Sequence, residues 1–479
     1  MRLNLLLTIL ILFISFTFSV FGFNSNILHV NYSNNDSIHV SSFDNTPPTI
    51  KSISPGKCSE YIVSKPTIKI KYFDESKIDK SSIKLLVNYE DVTNKATISD
   101  SSITYIPDKK FKRGNQVVSL EIKDLSPNKN TSNIEWYFTV GTPVYKHYRG
   151  LLHSHTSASD GHGSYSDAYY LARDKSNLDF FFITEHSNML DNNSKCDINN
   201  ASKSSEWSEL VKVSDKFTCE KKFLGLYGFE MTYPYNIDNP IGHINIFNSK
   251  GFITEKHGDM MNLDNFYNFI YNQENLIGQF NHPGKKFGDF NNFEYSPKGD
   301  AIISLLEVRN GYNSDISKNI ESYDMYQLAL DKGWHVAPTC NQDNHRVNFG
   351  IANEFRTVVL CSELTKDSLY DALKNMRVYA SEDKNLKIDY TINNLPMGSK
   401  ITKCSRLNFY ISAIDNDKND KIKEIQVISN KGKIVKSKNF DSNIARLEFS
   451  MKSNKNSFYY VKIIQDNKKT SVTSPIWIK

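Results

Sequence analysis

Gly150-Leu151-Leu152-His153-Ser154-His155 is the stretch from which the rest of the chain is read. A short apolar run with the texture of a buried strand ends in two histidines separated by one residue. On extended backbone, residues two apart project on one side, so both imidazoles can face a single cation. Similar arrangements recur downstream. Phe180–Thr184 delivers Glu185-His186, Leu224–Phe229 delivers Glu230, and Gly242 is followed by His243. Gln279-Phe280-Asn281 delivers His282-Pro283, and Val336–Thr339 leads to Asp343-Asn344-His345. A lone histidine is most often a packed or solvated residue. Here six histidines and three carboxylates each lie just beyond an apolar run, an arrangement hard to obtain by chance. Imidazole with carboxylate suits Zn, Mn or Fe, and the lack of clustered cysteines argues against a structural zinc finger.

Around these residues, from Tyr148 to about Ala380, short apolar runs alternate with amphipathic segments. Ser166–Asp174, Leu263–Tyr271, Asn319–Lys332 and Thr365–Met376 have helical spacing. That is βαβ texture, which predicts a parallel sheet or barrel whose strand carboxyl ends form the active face. Upstream, from Thr46, short alternating strands separated by Asp/Asn/Gly/Pro turns predict an all-β sandwich. It resembles a bacterial-type immunoglobulin-like module, opening at Pro47-Pro48-Thr49-Ile50 and closing at Trp136-Tyr137-Phe138-Thr139-Val140. After Lys387 only strand patterns return, predicting a C-terminal β domain.

Met1-Arg2 followed by the apolar run Leu5–Phe21 and a small residue, Gly22, has the form of a secretory signal peptide. The run also approaches the ~20 residues that span a bilayer, so an uncleaved anchor is the competing reading. Either way the remainder is exported, to the cell surface or beyond, and no second apolar run of that length follows. Six cysteines in an oxidising compartment permit disulfides: Cys58, Cys196, Cys219, Cys340, Cys361 and Cys404. Cys196 and Cys219 bracket one polar stretch and form the expected pair. Sequons stand at Asn31, Asn35, Asn130, Asn192 and Asn200. Lys and Arg total 58 against 53 Asp and Glu, a net charge of only +5 over 479 residues. So mild a bias argues against a dedicated nucleic-acid binder. The 26 Tyr and 29 Phe provide apolar area for several cores and rule out wholesale disorder.

The run His153-Ser154-His155-Thr156-Ser157-Ala158-Ser159-Asp160-Gly161 resembles the first motif of the PHP (polymerase and histidinol phosphatase) superfamily. Thr184-Glu185-His186 looks like its second, with Glu where Asp is commoner. Glu230, His282-Pro283 and Asp343-Asn344-His345 are similar to the later motifs, in family order. The branch most resembled is the exported carbaryl-hydrolase-like metallohydrolases, whose domain ends in a run similar to Met376–Asp383 and then Pro396-Met397-Gly398-Ser399. The resemblance implies a distorted (β/α)7 barrel holding two to three divalent ions. By matching positions, His153, His155, Glu230 and Asp343 would hold the first ion. Glu230 would bridge to a second, completed by His243 and His282, while Asp160, His186 and His345 would hold a third. The expected order is a signal peptide at 1–22, a linker at 23–45, and an immunoglobulin-like sandwich at 46–142. The barrel follows at 145–383 and a C-terminal β domain at 384–479.

A multinuclear site activates water at neutral pH and neutralises phosphate oxygens, so the expected substrate is a small molecule or other phosphate ester. Arg309 and Arg346 are candidate phosphate clamps, and His162 a candidate proton donor to the leaving group. Tyr233 and Tyr235 could line the pocket or simply pack. Two other readings stay open. The same site would attack an amide, ester or carbamate, and a degenerate barrel between β modules would serve binding alone.

Overall fold

The computed structural model describes residues 44–141, 144–190, 196–234, 237–402, 404–417, 419–455 and 457–479. The signal peptide at 1–22, nearly all of the 23–45 linker, the sequons at Asn31, Asn35 and Asn192, and Tyr235 lie outside them. The chain divides into two compact units, one ending at Gly141 and one running from Thr142 to Lys479.

In the first unit, Ile68-Lys69-Ile70-Lys71-Tyr72-Phe73 alternates buried and exposed side chains, the period-two signature of a strand with one face on a core. It lies between Thr49–Ser54 and Ser102–Tyr105, with Thr97–Ile98 at the edge. A second sheet orders Ser59–Ile62, Thr131–Val140, Gly114–Asp124, Ile78–Val87 and Glu90–Asp91. Side chains from both sheets share one core, in which the buried Trp136 donates its indole N–H to the Pro55 carbonyl at 3.0 Å.

The second unit is built on eight strands: β1 (Lys146–Leu151), β2 (Phe180–His186), β3 (Leu224–Thr232), β4 (His243–Phe247), β5 (Ile277–Asn281), β6 (Ile303–Asn310), β7 (Ala337–Asn341) and β8 (Arg356–Cys361). Most read as continuous apolar runs because they are buried on both faces. The (β/α)7 barrel expected from the sequence is not what they form. Strand β4 is antiparallel to both β3 and β5, whereas β1–β2–β3 and β5–β6–β7 are parallel. Only one isolated bridge, Ser154 to Asn344, joins the ends of β1 and β7, so no ladder closes the ring among the described residues. Instead β8 pairs antiparallel with the outer side of β1 and passes the sheet on to Val378–Ser381, Thr470–Thr473, Ser457–Gln465, Ile422–Ser429 and Lys433–Ser442.

The strands beyond Ser381 therefore do not stand apart. One set extends the large sheet, and Leu395–Pro396, Lys387–Ile392, Arg406–Ile414 and Ile444–Lys452 form, in that order, a smaller one. Val358, Leu360 and Tyr379 pack into the same core as Ile411, Val461 and Ile476. Helices cover the β1–β7 region: Tyr165–Tyr170 with a Ser164/Asp167 capping box, Leu263–Tyr271 capped by Asn262, Tyr323–Asp331, and Lys366–Lys374 capped by Thr365.

The polar stretch expected to be closed by a Cys196–Cys219 disulfide carries the helix Ser205–Phe217, about 20 Å long at 1.5 Å per residue, which buries Trp207, Leu210 and Val213. Both thiols are free, as are the other four. Cys196 Sγ sits 3.5 Å from His257 Nδ1, while Cys219 pairs with Phe223 in the turn after the helix. No helix among the described residues is long and apolar enough to cross a membrane.

Two outcomes are expected. A Cβ on Gly150 would meet the Phe180 carbonyl oxygen at 2.2 Å. Gly150→Ala should therefore lower stability by about 1–3 kcal/mol in urea denaturation, and an unchanged midpoint would show that β1 and β2 yield there. Thiol titration of unfolded, never-reduced protein should count all six cysteines; a count of four would restore one disulfide.

Candidate metal centre

The chain positions the histidines by fixing the ends of neighbouring strands. Leu152 donates its N–H to Asn341 Oδ1 at 2.7 Å, Asp343 to the His153 carbonyl at 3.1 Å, and His155 to the Asn344 carbonyl at 2.9 Å. These bonds hold the segment after β1 against the segment after β7. His186 closes β2 directly opposite Glu230 on β3. His243 opens β4 opposite Asn281, the last residue of β5, and His282 comes next. His282 and Asp343 have φ of +30° and +48°, in a region that L-residues enter at a cost and that is favoured at functional turns.

The nine residues expected as metal ligands come together. His153 Nε2 and His155 Nε2 are 3.0 Å apart, and Asp343 Oδ1 is 3.2 and 3.1 Å from them. Glu230 lies at the centre of the group. Its Oε1 is 3.3 Å from His153 Nε2, 3.3 Å from His243 Nδ1 and 3.5 Å from His282 Nε2. Its Oε2 is 2.7 Å from His186 Nδ1 and 3.5 Å from His155 Nε2. Asp160 Oδ1 lies 3.4 Å from His186 Nε2 and 3.1 Å from His345 Nε2. His155 is shared, because its ring stacks against both His186 and His345, with centroids 4.2 and 4.4 Å away.

This donor set fits divalent ions. Asp343 Oδ1 and Glu230 Oε2 are buried and accept no well-directed hydrogen bond, although imidazole nitrogens crowd them. Ligands about 2.0–2.2 Å from one ion stand roughly 3.0–3.5 Å from each other, which is the spacing observed here. Within this centre, four groups have ligand atoms that all lie within 4.8 Å of one another. They are His153–His155–Asp343, His155–Asp160–His186–His345, His186–Glu230–His243 and His153–His282–Glu307. The first agrees in part with the allotment expected from the family. The last differs from it, since His282 sits with His153 and a carboxylate the sequence reading passed over.

The charges inside the group support one another. Burial opposes a charged His153, yet the Asp343, Glu307 and Glu230 carboxylates hold its pKa well above the ordinary value. Burial likewise opposes a charged His186, but Glu230 and Asp160 push it up to about 10. His345 is raised by Asp160 and Asp343 against its own burial. Burial lowers His155 to about 3, helped by the neighbouring His186, and it lowers His243 as well. Glu230 and Asp343, despite burial, fall well below the carboxylate range because imidazoles surround them. Burial raises Glu185 to about 7, although Ser159 and Thr156 donate to it.

An open pocket of about 1000 Å³ reaches this group, lined by Asp160, His186, His243, His282, Asp343 and His345. His162 and Arg346, both exposed, line it too, with Lys286, Lys318, Tyr312 and Phe287. The structure does not bring Arg309 there. Its buried guanidinium is committed to Glu382 at 2.8 Å, Glu321 at 3.3 Å and the Ile316 carbonyl at 2.7 Å. Tyr233 is buried, with its hydroxyl on the Met260 carbonyl and its own carbonyl facing His243 Nε2. The sequence reading missed the polar layer beneath the histidines: Glu307, Asn310, Asn281, Gln279, Thr339 and Asn341. Its signal was available, since Gln279/Asn281 and Thr339/Asn341 are polar residues two apart on otherwise buried strands, hence on one face.

No family model matches the chain. Uncharacterised proteins of Chlamydia trachomatis and Chlamydia muridarum are 24% identical over 201 residues and 25% over 200, in each case 38% of this chain. The match spans only 29% of each relative's length. Among solved structures, a two-domain protein from Bacteroides vulgatus containing a predicted PHP-like metal-dependent phosphoesterase is similar at 14% identity, with a TM-score of 0.36. It covers 66% of this chain and 90% of its own. CopC from Methylosinus trichosporium, also at 14% identity, covers 20% of this chain and 94% of its own, with a TM-score of 0.16. The chain's own side chains, rather than these likenesses, carry the chemistry.

Because His186 titrates near 10 in the metal-free fold against an ordinary 6.5, its pairing stabilises that fold fully below pH 6.5. The contribution is lost as pH climbs toward about 10. An ion must displace the same proton, so metal affinity should rise over that interval. Calorimetric titration with Zn²⁺ at pH 7 in buffers of different ionisation enthalpy should detect proton release. Binding without proton release would contradict the charge state described for His186.

Proposed function

We propose that the second unit is a metal-dependent hydrolase of the PHP type that cleaves phosphate esters, working outside the cytoplasm. The observation that carries this reading is Glu230, one buried carboxylate within 3.5 Å of five imidazoles. A carboxylate so placed suits bridging between ions. His153, His155 and Asp343 would hold one, and Glu230 with His243 and His282 a second. Asp160, His186 and His345 would hold a third. Divalent ions there would supply a water nucleophile at neutral pH and stabilise the charge that develops on phosphate oxygens.

The chain's own groups do the rest. Arg346, exposed at the mouth with its guanidinium 5.8 Å from the Tyr312 ring, would grip a non-bridging phosphate oxygen. Lys286 and Lys318 add positive charge to the same pocket. His162 would protonate the leaving oxygen. That concentration of positive charge favours an anionic substrate over a neutral carbamate. The apolar run Leu5–Phe21 supports export.

Protein reconstituted with Zn²⁺ or Mn²⁺ should hydrolyse phosphomonoesters or diesters near neutral pH. His155→Ala and Asp343→Ala should each lower kcat more than about 100-fold, beyond what losing an outer-shell partner costs. Arg346→Ala should chiefly raise KM. Turnover of aryl carbamates with none of any phosphate ester would assign the site to carbonyl hydrolysis.

A further inference from the structure

We infer that Glu307 is a positioning residue that fixes the tautomer of His153 and the turn carrying His282, and does not itself hold an ion. The inference rests on the metal-centre reading above. Glu307 lies on β6, fully buried, and reaches beneath the ends of β1, β5 and β7. Its Oε1 accepts from His153 Nδ1 at 3.0 Å and Asn341 Nδ2 at 3.0 Å. Its Oε2 accepts from the His282 backbone N–H at 2.9 Å and Asn310 Nδ2 at 2.8 Å. A carboxylate has about four lone-pair positions. All four have donors, so none is left for a cation, although Glu307 lies among atoms spaced as ligands.

Each contact has a consequence at the centre. Because a carboxylate only accepts, His153 carries its hydrogen on Nδ1. Its Nε2 faces His155, Asp343 and Glu230, so an ion that displaces the second proton meets the lone pair there. The bond to the His282 N–H holds a residue at φ +30°, from which the ring's Nε2 points at Glu230. One side chain thus sets two imidazoles delivered by different strands. Asn341 cannot turn its amide around to compensate for a change, because its Oδ1 already accepts from Leu152 N–H and Thr357 Oγ1.

Glu307→Gln keeps the size but introduces an NH₂ group. Facing the His282 N–H, that group meets a donor that cannot invert. Facing His153, it can be accommodated only if the imidazole moves its hydrogen to Nε2, where it blocks the lone pair that an ion needs.

The test is direct Zn²⁺ titration of chelator-stripped full-length protein against a competing chromophoric chelator, with far-UV circular dichroism as a check on folding. Selective ¹⁵N-histidine NMR reads the His153 tautomer. Wild type should bind zinc with His153 protonated on Nδ1. Glu307→Gln should bind about 10–100-fold more weakly and lose the His153 Nδ1–H signal that the wild-type zinc complex shows. Equal affinity in a folded Glu307→Gln, or wild-type His153 metallated through Nδ1, would overturn the inference while leaving the metal centre standing. Wild type that binds no zinc would overturn the centre and the inference together. Should the variant unfold, the wild-type tautomer alone decides.

Discussion

A carboxylate in a protein interior is tolerated only when other groups replace the water it has lost. Glu230 is fully buried, and that replacement comes from Asn281 at 2.7 Å and from imidazoles delivered by the ends of β1, β2, β4 and β5. No local segment could supply them. Glu230 therefore links the order of the strands to the chemistry of the centre. Displacing any one of those strands would leave buried charge without compensation.

Beneath the histidines a layer of amides and hydroxyls separates the charged group from the apolar core. Thr339 donates to Gln279, Gln279 to Asn281, and Asn281 to Glu230. Asn341 bonds both Glu307 and the backbone of Leu152. Such networks are worth their burial only when fully satisfied, and then they hold the groups above them rigidly. On the opposite face of β5 from Gln279 and Asn281, Phe280 packs among Phe290, Phe293 and Trp334. The buried polar layer on one side and the open, basic pocket on the other give the centre one dry side and one accessible side.

The large sheet explains why the ring of strands stays open. Strand β1 has two neighbours, β2 and β8, so its edge toward β7 offers only the Ser154–Asn344 bridge. The edge that would have closed a barrel is instead used to carry the sheet into the C-terminal strands, whose core is continuous with Val358 and Leu360 of β8. The site tolerates this because its residues lie beyond the strand ends, where single backbone bonds such as His155 N–H to the Asn344 carbonyl are enough to align them.

From the sequence alone came the donor chemistry and its grouping: His153 and His155 on one side of an extended segment, Glu230 and His186 each at the end of an apolar run, Asp343 and His345 two apart. These readings were open to the sequence because they depend on side-chain type and on the local period of two. The direction of β4, the continuation of the sheet through β8, and the inward turn of Arg309 toward Glu382 were decided by tertiary structure. So was the role of Glu307. A strand buried on both faces has the same residue pattern whether its neighbours run parallel or antiparallel, so periodicity carries no record of polarity or closure. A buried Arg or Glu is likewise defined by partners distant in the chain, as Glu307 is by His153 and Asn341, and those partners meet only once the sheet has formed.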